Sequence, residues 1–269
     1  MKIVSLFGAA LLASVSGAAI AADLPSRKVA PAPVYAAPVF TWSGFYIGVN
    51  AGGVISRTTG RPDGITPNIL FAAPGLPTVN SEKFGFLGGG QVGFNYQTGS
   101  FVFGVEGDID FSTAKDTRGI FVPTAIPGFA VVGNAQAKLD YLATIRGRIG
   151  YTITPALLGY LTGGVAIGGG SVSAAATLSP LGFPTWIGNA PSTRTGWTIG
   201  AGAEYALSNN FSVKAEYLYY DLGSTKLVAS DFLLPSAVSY NVKRDGHVFR
   251  LGVNYRFGWG GAAPVVAKY

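Results

Sequence analysis

Acidic and basic side chains fall in equal number on one face of a series of alternating stretches. The acids are Glu106, Asp108, Asp110, Asp140, Glu204 and Glu216, and the bases are Lys138, Arg146, Arg148, Lys214, Arg250 and Arg256. Carboxylates spaced as in Glu106-x-Asp108-x-Asp110 can hold a cation or pair with guanidinium groups. With arginines on the same face, ion pairing is the plainer expectation. The sole histidine, His247, stands near Asp245. Such a histidine could serve hydrolysis or acyl transfer beside a serine. No nucleophile motif accompanies it, and a rim position explains it more simply. The triplets 88–90 and 168–170 are all glycine but do not open a helix followed by Lys-Ser/Thr, so they are not phosphate loops. They suit close backbone packing or sharp bending. Cysteine is absent, which removes disulfides, zinc-thiolate sites and thiol nucleophiles. No catalytic residue, metal or cofactor is expected.

Side chains alternate faces along a strand, so the elements that position these charges are strands. Eight alternating stretches can be counted, at roughly 42–54, 83–96, 100–113, 136–151, 156–172, 195–207, 211–224 and 245–257. In the last, Phe249, Leu251, Val253, Tyr255 and Phe257 oppose Arg250, Gly252, Asn254 and Arg256. The third sets Phe101, Phe103, Val105, Ile109 and Phe111 against the Glu106 series. The fourth sets Leu139, Tyr141, Ala143, Ile145 and Ile149 against Lys138, Asp140, Thr144, Arg146 and Arg148. The seventh sets Phe211, Val213, Ala215, Tyr217 and Tyr219 against Ser212, Lys214 and Glu216. The first, second and fifth are rich in glycine and less clear.

Composition says which face meets what. The 269 residues are 48% hydrophobic but only 12% charged, about half the ~25% charge of a typical soluble domain. No internal run supplies the ~20 apolar residues of a spanning helix. Apolar content spread by alternation suits a sheet facing lipid, although a secreted sandwich also alternates. Short connections (97–99, 152–155, 208–210) alternate with long ones (55–82, 114–135, 173–194, 225–244). Outer-membrane barrels show this asymmetry, with short turns periplasmic and long loops outside. Aromatics crowd the strand ends: Trp42, Tyr96, Tyr151, Tyr205 and Phe211 toward the periplasm, Trp197 toward the exterior. Girdles of this kind mark bilayer interfaces. The fold expected is all-β, an eight-stranded antiparallel up-and-down transmembrane β-barrel at 42–257.

The flanks fit export. Residues 1–22 form a signal peptide, with Lys2 ahead of an apolar run and Ala19 and Ala21 bracketing the small-x-small cleavage pattern. Residues 23–41 are a Pro/Ala-rich periplasmic lead-in. Residues 258–269 form a C-terminal periplasmic extension. The net charge is +6, but the basic residues are scattered, so nucleic acid is not an expected partner.

Trp42-Ser-Gly-Phe-Tyr-Ile-Gly-Val-Asn-Ala-Gly-Gly53, after a signal peptide and Asp23-Leu-Pro25, resembles the start of the alphaproteobacterial outer-membrane immunogenic protein family. Phe103-Gly-Val-Glu-Gly-Asp108, Thr144-Ile-Arg-Gly-Arg-Ile-Gly-Tyr151, Tyr160-Leu-Thr-Gly-Gly164, Gly196-Trp-Thr-Ile-Gly-Ala-Gly-Ala-Glu-Tyr205 and Lys214-Ala-Glu-Tyr217 fit as well. That family lies in the porin-like, eight-stranded outer-membrane barrel superfamily. The resemblance implies an abundant, antigenic surface protein of a Gram-negative outer membrane, without an enzymatic centre. Arg250, Gly252, Tyr255 and Phe257 resemble the signal read by the barrel assembly machinery, except that the chain continues to Tyr269.

An eight-stranded barrel is just wide enough for side chains to fill its bore, and charges there need opposite partners. The expected function is therefore non-enzymatic: a barrel supporting the envelope and displaying loops, its lumen plugged by salt bridges. Expected partners are outer-membrane lipids, including lipopolysaccharide, and the assembly machinery. The alternatives are passive diffusion of small solutes and adhesion or ligand binding through the long loops. Apolar loop pieces at 69–71, 120–122 and 232–234 could hold a partner or pack on one another.

Overall fold

The computed structural model describes residues 40–66, 78–123, 127–182, 185–191, 193–231 and 237–257. The signal peptide with Ala19 and Ala21, the lead-in up to residue 39, the extension 258–269 and the pieces 69–71 and 232–234 lie outside the described residues.

Among the described residues ten strands form one antiparallel sheet: β1 (Gly44–Thr66), β2 (Val79–Thr98), β3 (Phe101–Ser112), β4 (Lys115–Pro123), β5 (Ala130–Thr154), β6 (Leu157–Ser179), β7 (Thr185–Pro191), β8 (Arg194–Ala206), β9 (Phe211–Asp231) and β10 (Ala237–Arg256). Eight of them close a ring. Each is hydrogen-bonded to the next through β1, β2, β3, β5, β6, β8, β9 and β10, and β10 returns to β1. The up-and-down order follows from the short turns. Gly99, at φ 59°, turns β2 into β3, a conformation that glycine adopts without the usual steric penalty.

The other two strands lie within stretches that the sequence assigns to loops. β4 pairs with residues 130–138 of β5, above the segment of β5 that pairs with β3. β7 pairs with residues 171–177 of β6, above the segment that pairs with β8. Each prolongs a ring strand past the apolar belt. The long connections therefore carry strands well beyond the belt before they turn.

The belt is made of outward side chains. Val49, Phe86, Phe111, Ile145 and Leu251 all stand exposed, Leu251 at 69%. Between them the inward side chains are buried and polar. That is the inverse of a soluble core. It suits a solvent of acyl chains, where backbone groups can be satisfied only by closing the sheet.

The candidate site: a buried ionic core

The alternation brings carboxylates and guanidinium groups to one level of the bore. Arg146 from β5 is the hub. Its Nη2 lies 2.5 Å from Glu106 Oε1 and 2.8 Å from Asp108 Oδ2, and its Nη1 lies 2.9 Å from Glu216 Oε1. Arg250 from β10 reaches Asp108 at 2.9 Å and Glu216 at 2.6 Å and also pairs with Asp110. Lys214 donates to both oxygens of Glu106, at 2.8 and 3.0 Å. Arg148 donates to Glu204 at 2.9 Å and lies 3.7 Å from Glu106. The Arg146 and Arg250 side chains expose nothing to solvent. Stripping charges of water costs several kcal/mol per ion unless partners and hydrogen bonds replace it. Here each acid of the cluster has a basic partner. The Glu106-x-Asp108-x-Asp110 run is thus occupied by arginines. Among the described residues no group of His, Cys, Asp and Glu could hold a metal ion.

Neutral residues that the sequence reading left in the unclear strands complete the cluster. Tyr46 donates to Glu106 at 2.7 Å and accepts from Arg148 at 3.1 Å. Tyr160 donates to Glu216 at 3.0 Å, and the Arg148 guanidinium lies 4.0 Å from the Tyr160 ring centre. A chain runs from Asn50 to Gln91 at 3.0 Å, on to Asn254 at 2.6 Å, and from Asn254 to Glu204 at 2.9 Å. Ser212 donates to Glu204, and Thr144 to Asp108. Spacing by two, as in Tyr46-x-Gly48-x-Asn50, is the signal that could have found β1. Gly93 explains why small residues interleave: a Cβ there would overlap the Tyr46 hydroxyl.

Four expected positions come out differently. Lys138 and Asp140 are outside the network. The pairing of β5 with β6 skips between Leu139 and Tyr141, leaving Asp140 as the unpaired residue of a bulge. A bulge resets the alternation. Leu139 takes the inward place, 2% exposed, and Lys138 turns outward, opposite Lys115 of β4. Trp42 is not on an outward girdle but fully buried beneath the bore. Its backbone N–H donates to Gln97 at 2.7 Å and its indole N–H to the Pro155 carbonyl at 3.2 Å. Because it precedes β1, strand alternation does not govern it. Arg256 joins that lower layer. Its guanidinium lies 4.6 Å from the Trp42 ring and donates to the Thr41 carbonyl at 2.6 Å.

The remaining residues are placed as follows. Tyr96, Tyr151, Trp197, Tyr205 and Phe211 face outward, about half exposed. Tyr255 and Phe257 face outward in edge contact, and Tyr255 also meets Phe211 at 5.2 Å. Gly252 faces inward between Arg250 and Asn254. His247 lies at the outer end of the belt, its Nδ1 2.8 Å from the Tyr217 hydroxyl.

Apolar layers bound the ionic core on both sides. Below lie Trp42, Val102, Leu158 and Tyr160. Above, toward the long connections, Val54, Leu87, Leu139, Leu142, Leu218 and Val248 meet across the bore with Ala114, Ala166, Tyr220 and Leu222.

This closed ring with lipid-facing walls coincides with a family match. Residues 7–257 match the model described as the outer membrane protein beta-barrel domain. The chain belongs to that family. It is 36% identical over 259 residues to the 31 kDa outer-membrane immunogenic protein of Brucella melitensis, covering 94% of this chain and 99% of the relative. It is 29% identical over 227 residues to the 22 kDa outer membrane protein of Rhizobium leguminosarum, covering 82% and 80%. Among solved structures, the outer membrane protease OmpT of Escherichia coli aligns at TM-score 0.46 and 11% identity, over 81% of this chain and 98% of that one. The protein is thus a β-barrel of the Gram-negative outer membrane, and its Brucella relative carries the name of an outer-membrane immunogenic protein.

Proposed function

We propose that this is a non-enzymatic envelope protein whose barrel is plugged and whose role is mechanical anchorage and surface display. The observation that carries this reading is the continuous filling of the bore. The lower apolar layer, the ionic cluster and the upper apolar layer follow one another with charges paired from wall to wall. Ions would have to cross the upper layer without hydrogen-bond partners, which is unfavourable in a low-dielectric interior. The outward belt would sit in outer-membrane lipid, including lipopolysaccharide, with the aromatics at its two edges. Immunogenicity, the property for which the Brucella relatives are named, would reside in the prolonged strands and their connections.

Planar-bilayer recording of the refolded mature protein tests the plug. A silent membrane with folded protein inserted is the expected result. Large, steady openings would turn the reading to passive diffusion of small solutes. The end of β10 would serve the assembly machinery. Replacing both Tyr255 and Phe257 by Ala should lower the amount of folded, heat-modifiable protein in the outer membrane, and unchanged amounts would remove that role.

A further inference from the structure

Above the upper apolar layer the interior changes character twice. First comes a cationic level. Arg244 of β10 is 1% exposed; its Nη1 donates to the Lys138 carbonyl at 3.1 Å, and its Nη2 has no hydrogen-bond partner among the described residues. It lies against the backbone of Gly170, where a Cβ would overlap the Lys138 carbonyl oxygen and stand 3.3 Å from Arg244 Nη1. Arg194 of β8 approaches the same level, donating to the Val242 carbonyl at 3.0 Å. Arg194 and Arg244 are close enough to act on each other as like charges. Arg244 lines a pocket of about 10 Å³ with Ser56, Thr58, Ser81 and Asp116. That is room for about one water-sized group.

Second, directly above and sharing the walls Thr58, Ser81, Asp116 and Ala137, opens a cavity of about 410 Å³. Its lining is mostly apolar: Val122, Val131, Trp186, Leu227, Tyr240 and Val242 carry the inner surface. Small-molecule sites run to about 300–1,000 Å³, with apolar walls and a few placed polar groups. Asp116, the carboxylate at the junction, accepts from Ser81 through Oδ2 and lies 3.6 Å from both Lys83 and Arg118, while its buried Oδ1 has no hydrogen-bond partner. Arg244 makes no ion pair within 4.0 Å among the described residues, its Nη2 has no hydrogen-bond partner, and Asp140 is the carboxylate whose charge acts on it.

We propose that this cup binds a small amphipathic carboxylate of the medium-chain alkyl acid type. The chain lies against Trp186 and Leu227, and the carboxylate points down toward Arg244 Nη2. A neutral apolar ligand would leave Arg244 Nη2 without a hydrogen-bond partner, and a cationic one would meet Arg244 and Arg194 as like charges. The cup has no continuation below, because the upper apolar layer closes it. It is a receptor cavity rather than a passage. In its side wall no backbone ladder joins β2 to β4 among the described residues; the two strands meet there through Ser81 and Lys83 on Asp116, with Asn80, Arg118 and Phe121 flanking the cavity.

The test is equilibrium binding of radiolabelled decanoate to the full mature chain in lipid nanodiscs, with empty nanodiscs subtracted. Saturable binding at one site per chain is expected, displaced by unlabelled decanoate and at least about tenfold less well by decanol or decyltrimethylammonium. Arg244→Met should weaken decanoate at least about tenfold and bring it level with decanol. Ala176→Phe, which fills the cup from β6 and leaves the cationic level intact, should abolish binding and keeps the test open if Arg244→Met does not fold. Absence of saturable binding, decanol binding as tightly as decanoate, or full binding by folded Ala176→Phe would each overturn the proposal.

Discussion

The two halves of the barrel obey the same alternation and bury opposite things. In the belt half, 101–111 of β3 sends Glu106, Asp108 and Asp110 inward and Phe103, Val105 and Phe111 outward. In the outer half, Val122 of β4, Val172 of β6, Leu227 of β9 and Val242 of β10 point inward, while Arg57, Lys226, Asn241 and Lys243 face out. The first arrangement suits lipid outside, the second water outside. Periodicity therefore reports a strand, and only the polarity of each face reports its surroundings.

The comparison can be broken most strongly at the ionic core. Arg146→Met removes one of the two guanidinium groups that Glu106, Asp108 and Glu216 share, leaving Arg250 and Lys214 against them. It should lower unfolding stability in lipid vesicles by about 3–5 kcal/mol, read by urea titration of tryptophan fluorescence. Leu218→Ala, in the upper apolar layer, should cost about 2–5 kcal/mol in the same titration, and would show that the layer is packed rather than merely apolar. Gly93→Ala forces the Tyr46 hydroxyl aside and should cost about 1–3 kcal/mol, with loss of heat-modifiability at a lower temperature. The outer half supplies the contrast. Lys226 meets Asp63 at 2.6 Å with both side chains exposed, so Lys226→Ala should cost below about 1 kcal/mol. If Lys226→Ala matched Arg146→Met, burial would not be what separates the two kinds of ion pair.

Strands that carried charge on one face and bulk on the other were legible from sequence. Arg250 to Phe257 and Phe101 to Phe111 disclosed their inward sets directly. β1, β2 and β6 were not, because glycine stands at both inward and outward places and thins the pattern. Tyr46, Gln91 and Tyr160 were accordingly missed. Lys138 and Asp140 were misread for a different reason: local alternation carries no mark of a bulge, whose evidence lies in the pairing with Gly169 and Gly170 across the ladder. The outer strands escaped because Ile120-Phe-Val122 looks like a loop fragment until its partners Val131 and Val132 are known.

The origin of the core's charges bears on how the ring shuts. Glu106, Asp108 and Asp110 come from β3, whereas Arg250 comes from β10, the strand that also meets β1 at the seam. A nascent sheet lacking its final strand holds surplus negative charge facing a void. Docking of that strand neutralises the surplus as it zips the seam, so the final strand acts as a keystone that makes a half-closed ring electrostatically unstable.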